Sequence, residues 1–338
     1  MGKSTFRCVK SLANDVWKAY ILEPVLFFIV FVNVIRTEKQ VRSILWAFGA
    51  LVVIIGFVAL LQYIGIVDIP AHYGLEIPPR ATSVFPFPTA IGKLAGPLVA
   101  LFLGLWLVNR AQSQEPRAVS NIFFMGVIGF GLIGLILSVS RGALIGAFAS
   151  LIFISFFSKY KKWLWVGLVL VILVAMLIPP VRDNVVGVFK ATDVSTDVRL
   201  VMWKGAVRII KDNPVTGTGL ASFPAVYEDY KEAAHTEFFP NPDHLYLTLW
   251  IEMGLAGLII FGWLVVRYFK EGISMVRGLQ ATDYRLQLTI GLIAAMITIL
   301  VHGFLDTPYF KNDLAVEFWA LVGLLIVLRS LQSPQNAL

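Results

Sequence analysis

Apolar residues in this chain run in long blocks, and short polar segments separate the blocks. A helix that crosses the ~30 Å hydrocarbon core of a bilayer needs about 20 such residues, and most blocks have about that length. The blocks lack the alternation of apolar and polar positions that is typical of a membrane barrel strand. We therefore predict an all-α, polytopic helical membrane protein, with residues 1–338 forming a single integral membrane domain. About nine transmembrane helices are predicted, over residues 17–35, 43–66, 89–108, 120–138, 141–157, 163–180, 245–267, 286–305 and 314–331.

The longest polar segment, residues 181–244, lies between two of these predicted spans and is rich in Arg, Trp, Tyr, Gly and Pro. Within it, Val198–Lys211 has the pattern of a helix that ends before Asn213 and Pro214, because proline cannot continue a helix. A membrane protein that keeps one sizeable polar segment between its spans is expected to carry its chemistry there. We therefore predict that residues 181–244 form an outward-facing catalytic loop that bears short helices.

Positive charges mark one side of the predicted membrane domain, because Lys and Arg in short loops stay on the cytoplasmic side. Alternate connections carry most of these charges: Arg36, Lys39, Arg42, Arg110, Arg117, Lys159, Lys161, Lys162, Arg267, Lys270, Arg277 and Arg285. This assignment places residues 181–244 on the outer face.

The composition supports the same class: 58% of residues are hydrophobic, 14% are charged, and the mean hydropathy is +0.78. The net charge of +7 is explained by the inner collar of Lys and Arg, which matches an anionic lipid leaflet and gives no reason to expect nucleic acid. A single cysteine, Cys8, excludes an internal disulfide and a cysteine-based zinc site.

The N-terminus conflicts with the charge rule. An odd number of spans with the C-terminal tail inside would put Met1 outside, where Lys3, Arg7, Lys10 and Lys18 are unfavourable. We expect a chain that lacks an odd number of N-terminal helices. The alternative is a miscounted span.

Arg141 interrupts an apolar run over residues 122–157. A single helix of that length would extend about 54 Å, far more than one crossing requires, so two spans must meet near Arg141. Its guanidinium is then at the outer rim, where it either binds a partner or ligand or extends to water. Gly142 and Gly146 have the spacing of a helix-packing pair.

Arg199 lies on the opposite face of its predicted helix from the cations Lys204, Arg208 and Lys211. It is in line with Trp203 on the apolar side that should face the protein. An arginine on a buried face indicates either a bound anion or a structural salt bridge.

His244 lies where the polar segment re-enters the membrane. Its imidazole is a candidate general base near neutral pH, or an ordinary hydrogen-bonding group. Asp243 could orient this ring or cap the following helix. Glu252, about two turns deeper, is an intramembrane acid and therefore a candidate site residue.

His302 and Asp306 lie one helical turn apart and form a possible pair, and Lys93 and Glu317 are further ionisable residues within predicted spans. The Gly217 and Gly219 pair is too short for a nucleotide fingerprint and is expected to make turns. We expect neither a cofactor nor a bound metal, and the sequence has no Walker motif that would use a soluble nucleotide.

Five segments together resemble one family in order and spacing, over about residues 20–330. They are the segment from Arg80 to Ala90, the segment Ser138–Gly146 around Arg141, the segment from Arg199 to Ala206 with Trp203, the segment Asn213–Phe223 with Tyr227, and the segment from His244 to Gly257 with Glu252. In these segments the chain is similar to the O-antigen ligase and O-antigen polymerase superfamily.

The resemblance implies a glycosyltransferase of bacterial cytoplasmic (inner) membranes. Such an enzyme takes a glycan from undecaprenyl diphosphate on the outer face and passes it to an acceptor hydroxyl. Family members have more spans than this chain, which agrees with the charge conflict at Met1. One departure concerns the His-Asn pair that the family usually has before Leu-Tyr-Leu, where this chain has Asp243-His244. Either the histidine has moved by one place, or Asp243 occupies the place of the histidine.

The argument from individual residues and the family resemblance lead to one mechanism, which needs no metal. Diphosphate is a leaving group whose developing charge Arg141, Arg199 and Arg80 can stabilise. His244 would take the proton of the acceptor hydroxyl as that hydroxyl attacks the anomeric carbon, with inversion. Asp306 or Glu252 would hold the imidazole or an arginine, and Trp203 would contribute to substrate binding. We expect these groups to meet on the outer surface around the diphosphate.

Three acceptors are possible. Transfer to lipid A core describes a ligase, transfer to another lipid-linked glycan a polymerase, and transfer to a protein Ser or Thr a protein O-oligosaccharyltransferase. A transporter or flippase for an anionic lipid-linked glycan would also need arginines in a membrane cavity. It would, however, place ionisable groups near the midplane and contain an internal repeat or broken helices.

Overall fold

The computed structural model describes residues 13–108, 118–158, 160–167, 194–232, 239–279 and 284–332. Within these ranges the chain forms helices and no strands, which confirms the all-α prediction. Contacts along the chain divide it into two compact units. We call Met1–Ala19 with Tyr160–Leu264 the loop unit, and Tyr20–Lys159 with Val265–Leu338 the bundle unit.

The bundle unit contains most of the long helices. They are α1 (Glu23–Val34), which follows a π-helical turn over Lys18–Leu22, α2 (Glu38–Tyr63), α3 (Ala71–Gly74), α4 (Thr89–Val108), α5 (Ala118–Leu137), α6 (Arg141–Ser155), the second part of α9 (Leu245–Gly278), α10 (Tyr284–His302) and α11 (Asn312–Ser330). Sequence signals mark some of the helix ends. The start of α2, for example, has a capping box in which Thr37 and Gln40 exchange hydrogen bonds between side chain and backbone.

Helix α4 lies at the centre of the bundle unit, packed against α5, α6 and α10. Of its most apolar stretch, 89% is buried inside the protein, compared with 28% for α9. Small residues permit this packing, because a Cβ added at Gly104 of α4 would lie 2.5 Å from the Gly291 Cα of α10. Helix α2 packs on α5, and α11 packs on α1.

The loop unit contains α7 (Val194–Asp212), α8 (Phe223–Tyr227) and the first part of α9. Its core joins Met202, Ala206 and Ile209 of α7 to Phe223 of α8 and Ile251 of α9. The predicted helix Val198–Lys211 is therefore confirmed, with an N-terminal extension to Val194, and it ends just before Asn213 as predicted.

Four described helices are long and apolar enough to cross a membrane: Glu38–Tyr63, Thr89–Leu107, Leu245–Gly278 and Tyr284–His302. Two shorter apolar helices, Ile122–Leu137 and Arg141–Ser155, meet at the turn predicted near Arg141. These helices are those of a multi-pass membrane protein. Most of the predicted span 163–180, part of the 181–244 segment and Cys8 lie outside the described residues.

Candidate functional site

Helix α7 presents two different faces. Lys204, Arg208 and Lys211 are exposed, whereas Met202, Ala206 and Ile209 are buried. Arg199 and Trp203 are half-buried on the side of the helix that faces the core. The sequence-based separation of Arg199 from the exposed cations is therefore confirmed.

The α7 helix holds the chain just before His244. The Trp203 indole N–H donates a hydrogen bond to the Pro242 carbonyl oxygen at 2.9 Å. The Trp203 and His244 rings meet edge to face, with their centroids 5.1 Å apart. Asp243, between these contacts, has a positive φ of 44°, a left-handed conformation that is uncommon for a residue with a side chain.

The His244 imidazole lies at the N-terminus of α9. Its Nδ1 accepts a hydrogen bond from the Leu247 backbone N–H at 3.3 Å, so the ring caps the first turn of the helix. Burial lowers the pKa of His244 below its ordinary 6.5, with a backbone hydrogen bond opposing the shift, so the neutral ring is favoured near pH 7. Because a neutral ring has one donor and one acceptor nitrogen, Nδ1 as acceptor leaves the hydrogen on Nε2.

A break in α9 is closed by the loop that follows α7. Gly254 has a non-helical backbone (φ 69°, ψ −174°) inside the apolar helix. Two backbone bonds join the loop to the break: the Thr218 N–H donates to the Ile251 carbonyl at 2.6 Å, and the Leu255 N–H donates to the Val215 carbonyl at 3.0 Å. Since backbone groups within a membrane need protein partners, the loop satisfies groups that the break frees.

Two glycines allow this close approach. Gly217 and Gly254 both have positive φ, and a Cβ on either would lie within 2.5 Å of a backbone carbonyl oxygen of the other segment. Gly219 also has a positive φ, of 98°. The prediction that Gly217 and Gly219 make turns is therefore confirmed.

Glu252 lies next to the break and is 7% exposed. The backbone of Ala221, a residue with a positive φ of 56°, lies close to its carboxyl group. The loop after α7 therefore lies beside an acidic group within the first third of the α9 span.

Tyr227 of α8 is stacked on Phe223, with ring centroids 5.0 Å apart. Its ring also lies against Gly205 of α7, where a Cβ would be 2.6 Å from the ring. The Tyr227 hydroxyl is buried and has no hydrogen-bond partner among the described residues. Burial raises its pKa, with smaller contributions from the carboxylates of Glu232 and Glu228, so the hydroxyl stays protonated.

In the bundle unit, Arg80 lies against the turn between α5 and α6. Its Nε donates to the Ser138 carbonyl oxygen at 3.1 Å, and the Ala81 N–H donates to the Leu137 carbonyl oxygen at 2.9 Å. The buried Gln62 side chain of α2 holds the next residues in place. Its amide oxygen, Oε1, accepts hydrogen bonds from the backbone N–H groups of Thr82 and Ser83. Arg80 is thus held beside the turn that carries Arg141.

Arg141 is the first residue of α6 and is half-buried. The residues after it pack closely on α10. A Cβ at Gly142 would lie 2.5 Å from the His302 ring, and one at Gly146 would lie 2.9 Å from the Thr298 carbonyl oxygen. The predicted packing role of this glycine pair is confirmed.

Asp306 accepts hydrogen bonds within a buried cluster of charged groups. The Lys93 ammonium lies 2.9 Å from its Oδ1, the Thr307 N–H donates to the same oxygen at 2.7 Å, and the His302 Nε2 lies 4.0 Å from its Oδ2. Burial by itself would raise the pKa of Asp306, but the Lys93 charge, the His302 ring and these hydrogen bonds hold it below the ordinary value. The carboxylate is therefore ionised, and its first partner is Lys93.

The structure places the predicted site residues in two groups. Arg199, Trp203, His244 and Glu252 belong to the loop unit, and Arg80, Arg141 and Asp306 belong to the bundle unit. The His302–Asp306 proximity is confirmed. Gln62 and the backbone of Ala221 were not predicted as part of either group. Gln62 could have been noticed as a lone amide in an apolar helix, whereas a backbone contact has no sequence signal.

No group of three or more His, Cys, Asp or Glu residues that could hold a metal occurs within the part of the chain that the structure describes. The arginines and the imidazole of the two groups are suited to anions and to proton transfer. Guanidinium groups bind phosphate oxygens through paired hydrogen bonds, and a neutral imidazole can exchange a proton near pH 7.

Comparison with known proteins gives a family match for the middle of the chain. Residues 124–262 match the family model described as O-antigen ligase, and this segment contains Arg141, Arg199, Trp203, His244 and Glu252. A search of curated proteins found no match. The family match confirms the resemblance carried by the sequence motifs: residues 124–262 of this chain form a segment that matches the O-antigen ligase family.

Proposed function

We propose that this chain is a glycosyltransferase that moves a glycan from undecaprenyl diphosphate to an acceptor hydroxyl, on the outer face of a bacterial cytoplasmic membrane. The observation that carries the proposal is that the family match over residues 124–262 includes Arg141, Arg199 and His244. Arginines suit a diphosphate, and an imidazole at a membrane boundary suits deprotonation of a hydroxyl.

The arrangement in the membrane belongs to the same proposal. The chain forms one integral membrane domain of about nine spans, with residues 181–244 as its outward-facing catalytic loop. Four long apolar helices and two shorter ones, among the described residues, support several of these spans. The collar of Lys and Arg at alternate connections supports the orientation.

The arginines stabilise the leaving diphosphate. As the glycosidic bond breaks, negative charge develops on the bridging oxygen, and guanidinium groups lower the energy of that state. Arg80 and Arg141 suit this role because they share one backbone turn, which fixes their positions. Arg199 suits it because it is half-buried on the core-facing side of α7, where a charge interacts more strongly than in water.

His244 is the proposed general base. The acceptor oxygen attacks the anomeric carbon and loses its proton to the imidazole, while the bond to the diphosphate breaks, so that the carbon is inverted. Nε2 can accept this proton only if the ring hydrogen resides on Nδ1. The 3.3 Å cap bond to Leu247 is then lost.

Asp243 is the alternative base. Its carboxylate needs no change of tautomer, and its left-handed backbone is fixed between the Trp203–Pro242 bond and the start of α9. Under this alternative His244 is a helix cap. In either case Trp203 positions the pair, and Glu252 stabilises the loop that covers the helix break.

The test uses the purified protein in liposomes that contain an undecaprenyl-diphosphate glycan. Lipid A core, a lipid-linked glycan and a Ser/Thr peptide are supplied in separate reactions, and transferred glycan is measured. Transfer to the first indicates a ligase, to the second a polymerase and to the third a protein O-oligosaccharyltransferase. Movement of the donor across the membrane without transfer to any acceptor would instead indicate a transporter. Addition of EDTA should leave transfer unchanged.

Two isosteric variants separate the candidate bases. Asparagine in His244→Asn keeps an acceptor near the position of Nδ1 that can cap Leu247, but it cannot take a proton. If His244 is the base, this variant loses transfer by about 100-fold or more while Asp243→Asn retains it. The opposite result assigns the base to Asp243. Full activity of both variants, at normal abundance in the membrane, would reject both assignments.

A further inference from the structure

A segment of mostly apolar residues, 64–79, follows α2, and we call it the apolar loop. Only two of its residues are charged. Three of its large aliphatic side chains are more than two-thirds exposed: Ile66, Leu75 and Ile77. Exposed apolar side chains grouped in one segment mark a surface that contacts a membrane or another protein.

Hydrogen bonds fold the apolar loop back onto the end of α2. The backbone N–H groups of Ile66 and Val67 donate to the Leu61 carbonyl oxygen, at 2.9 and 3.2 Å. The Gln62 amide nitrogen donates to the Asp68 carbonyl oxygen at 3.2 Å. Because the same Gln62 side chain also binds the segment after the loop, both ends of the loop are held beside the end of this helix.

The apolar loop also has contacts of its own. Ile69 is half-buried beside the short helix α3, where a Cβ added at Gly74 would lie 3.6 Å from the Ile69 Cβ. The Arg80 N–H donates to the Tyr73 carbonyl oxygen at 3.1 Å. These contacts order the loop and leave its three exposed aliphatic side chains available to an outside partner.

The length of α2 places the apolar loop at a bilayer surface. Helix α2 is apolar enough to cross a membrane, and its last charged residue is Arg42. About 20 residues cross the ~30 Å hydrocarbon core, so a core that begins after Arg42 ends near Tyr63. Tyrosine is typical of this boundary between lipid and water. The loop therefore folds back at the level of the lipid headgroups.

The exposed apolar surface of α2 continues into the loop. Ile54 and Phe57 are exposed side chains within the span, where the surroundings are lipid. Tyr63 and Ile64 are exposed at its end, and Ile66 follows in the loop. No charged residue occurs between Ile54 and Ile66. This continuity favours the bilayer, rather than a partner protein, as the contact of the loop.

We propose that the apolar loop inserts Ile66, Leu75 and Ile77 into the lipid leaflet at the end of α2. The partner is the boundary between headgroups and acyl chains, which takes up the apolar side chains of interfacial segments. The loop contains no lysine or arginine, so the contact is apolar and needs no anionic lipid. Insertion is independent of glycan transfer.

The consequence of insertion for Arg80 rests on the proposed function. Arg80 directly follows the apolar loop, and its backbone is bonded to it. An inserted loop would hold this guanidinium at the level of the lipid headgroups. The diphosphate of a lipid-linked donor lies at the same level.

The test is spin labelling of the full-length protein in phosphatidylcholine liposomes. The cysteine of the parent chain is removed in Cys8→Ala. Ile66→Cys, Leu75→Cys and Ile77→Cys are then labelled with a nitroxide, one in each sample. Collisions of the nitroxide are measured with oxygen, which concentrates in lipid, and with a nickel chelate, which stays in water and is added to both sides of the membrane.

Two further positions provide the references. Ile54→Cys carries the label on the exposed side of the α2 span, and Lys204→Cys carries it on the exposed side of α7. At each of the three loop positions, the ratio of oxygen to nickel collisions should be closer to that at Ile54→Cys than to that at Lys204→Cys. High salt should leave this ratio unchanged, because the contact is apolar.

Two results would overturn the proposal. Frequent nickel collisions at the loop positions, as at Lys204→Cys, would place the loop in water. Rare collisions with both reagents would show that protein covers it. Because the three side chains are exposed, their replacement should leave the melting temperature of the parent protein unchanged. Absence of glycan transfer, with lipid-like ratios in the loop, would reject the proposed function and leave insertion standing.

Discussion

The Lys93 ammonium lies 2.9 Å from the Asp306 carboxylate, and only about a tenth of each side chain is exposed. A buried charge that loses its partner remains desolvated, so removing one member of such a pair costs about 3–5 kcal/mol. The pair therefore joins the start of α4 to the segment after α10, and the loss of either member destabilises this contact.

Lys93→Met and Asp306→Leu are each expected to lower the stability of the protein by that amount, about 3–5 kcal/mol. The double variant should lose less than the sum, because neither charge is left buried alone. Unfolding in mixtures of SDS and mild detergent measures these differences. Strict additivity of the two single effects would contradict the coupling inferred from the distance.

The pH dependence of transfer is expected to follow His244 if it is the base. Burial lowers its pKa below 6.5, and the active, neutral ring predominates above that lowered pKa. Activity should therefore persist at pH 6.5 and fall only at more acidic pH. The measurement is initial transfer rate against pH, with Trp203→Phe as a comparison that keeps the ring contact but removes the bond to Pro242.

An acidic fall in activity at or above pH 6.5 would contradict the lowered pKa of His244. If His244→Asn shows the same decrease in transfer rate at acidic pH, the group that titrates is not His244. Asp243 would then be the next residue to test.

The break in α9 is expected to tolerate no side chain at its two closest glycines. Gly217→Ala and Gly254→Ala combine a left-handed backbone with a Cβ within 2.5 Å of a carbonyl oxygen. Each should cost about 1–3 kcal/mol or more, measured as a lower melting temperature of the purified protein.

Two other glycines provide the controls for this break. Gly219→Ala has the positive φ without the clash and should lose less. Gly262→Ala, in the same helix with open space around it, should have no adverse effect. Equal stability of Gly217→Ala and Gly262→Ala would argue against the loop lying on the break.

Tyr227 is expected to be dispensable for stability, because its buried hydroxyl has no described partner. Tyr227→Phe should leave the melting temperature unchanged or raise it by the equivalent of about 1 kcal/mol, since the ring contacts remain. The comparison is Tyr230→Phe, which removes the 2.6 Å hydrogen bond to Asp212.

A decrease in stability for Tyr227→Phe would indicate a hydrogen-bond partner outside the described residues. A decrease in transfer without a decrease in stability would instead indicate that the hydroxyl contacts substrate. Measuring both properties on the same preparation separates these outcomes.

The sequence by itself determined the helical membrane class, because runs of about 20 apolar residues have few other stable arrangements. Local periodicity also placed Arg199 on the covered face of α7, and local turn chemistry placed the end of that helix at Asn213. Each of these predictions depends on residues a few positions apart, so short-range rules are sufficient.

Only the tertiary structure decided the partners of the ionisable groups. Lys93 and Asp306 are 213 residues apart in sequence, and their pairing depends on the packing of α4 against α10. The break at Gly254 has no marker within its apolar run, because what stabilises it is the backbone of a loop nearly forty residues earlier. Backbone partners are independent of residue type, so their positions follow from the path of the chain and not from local sequence.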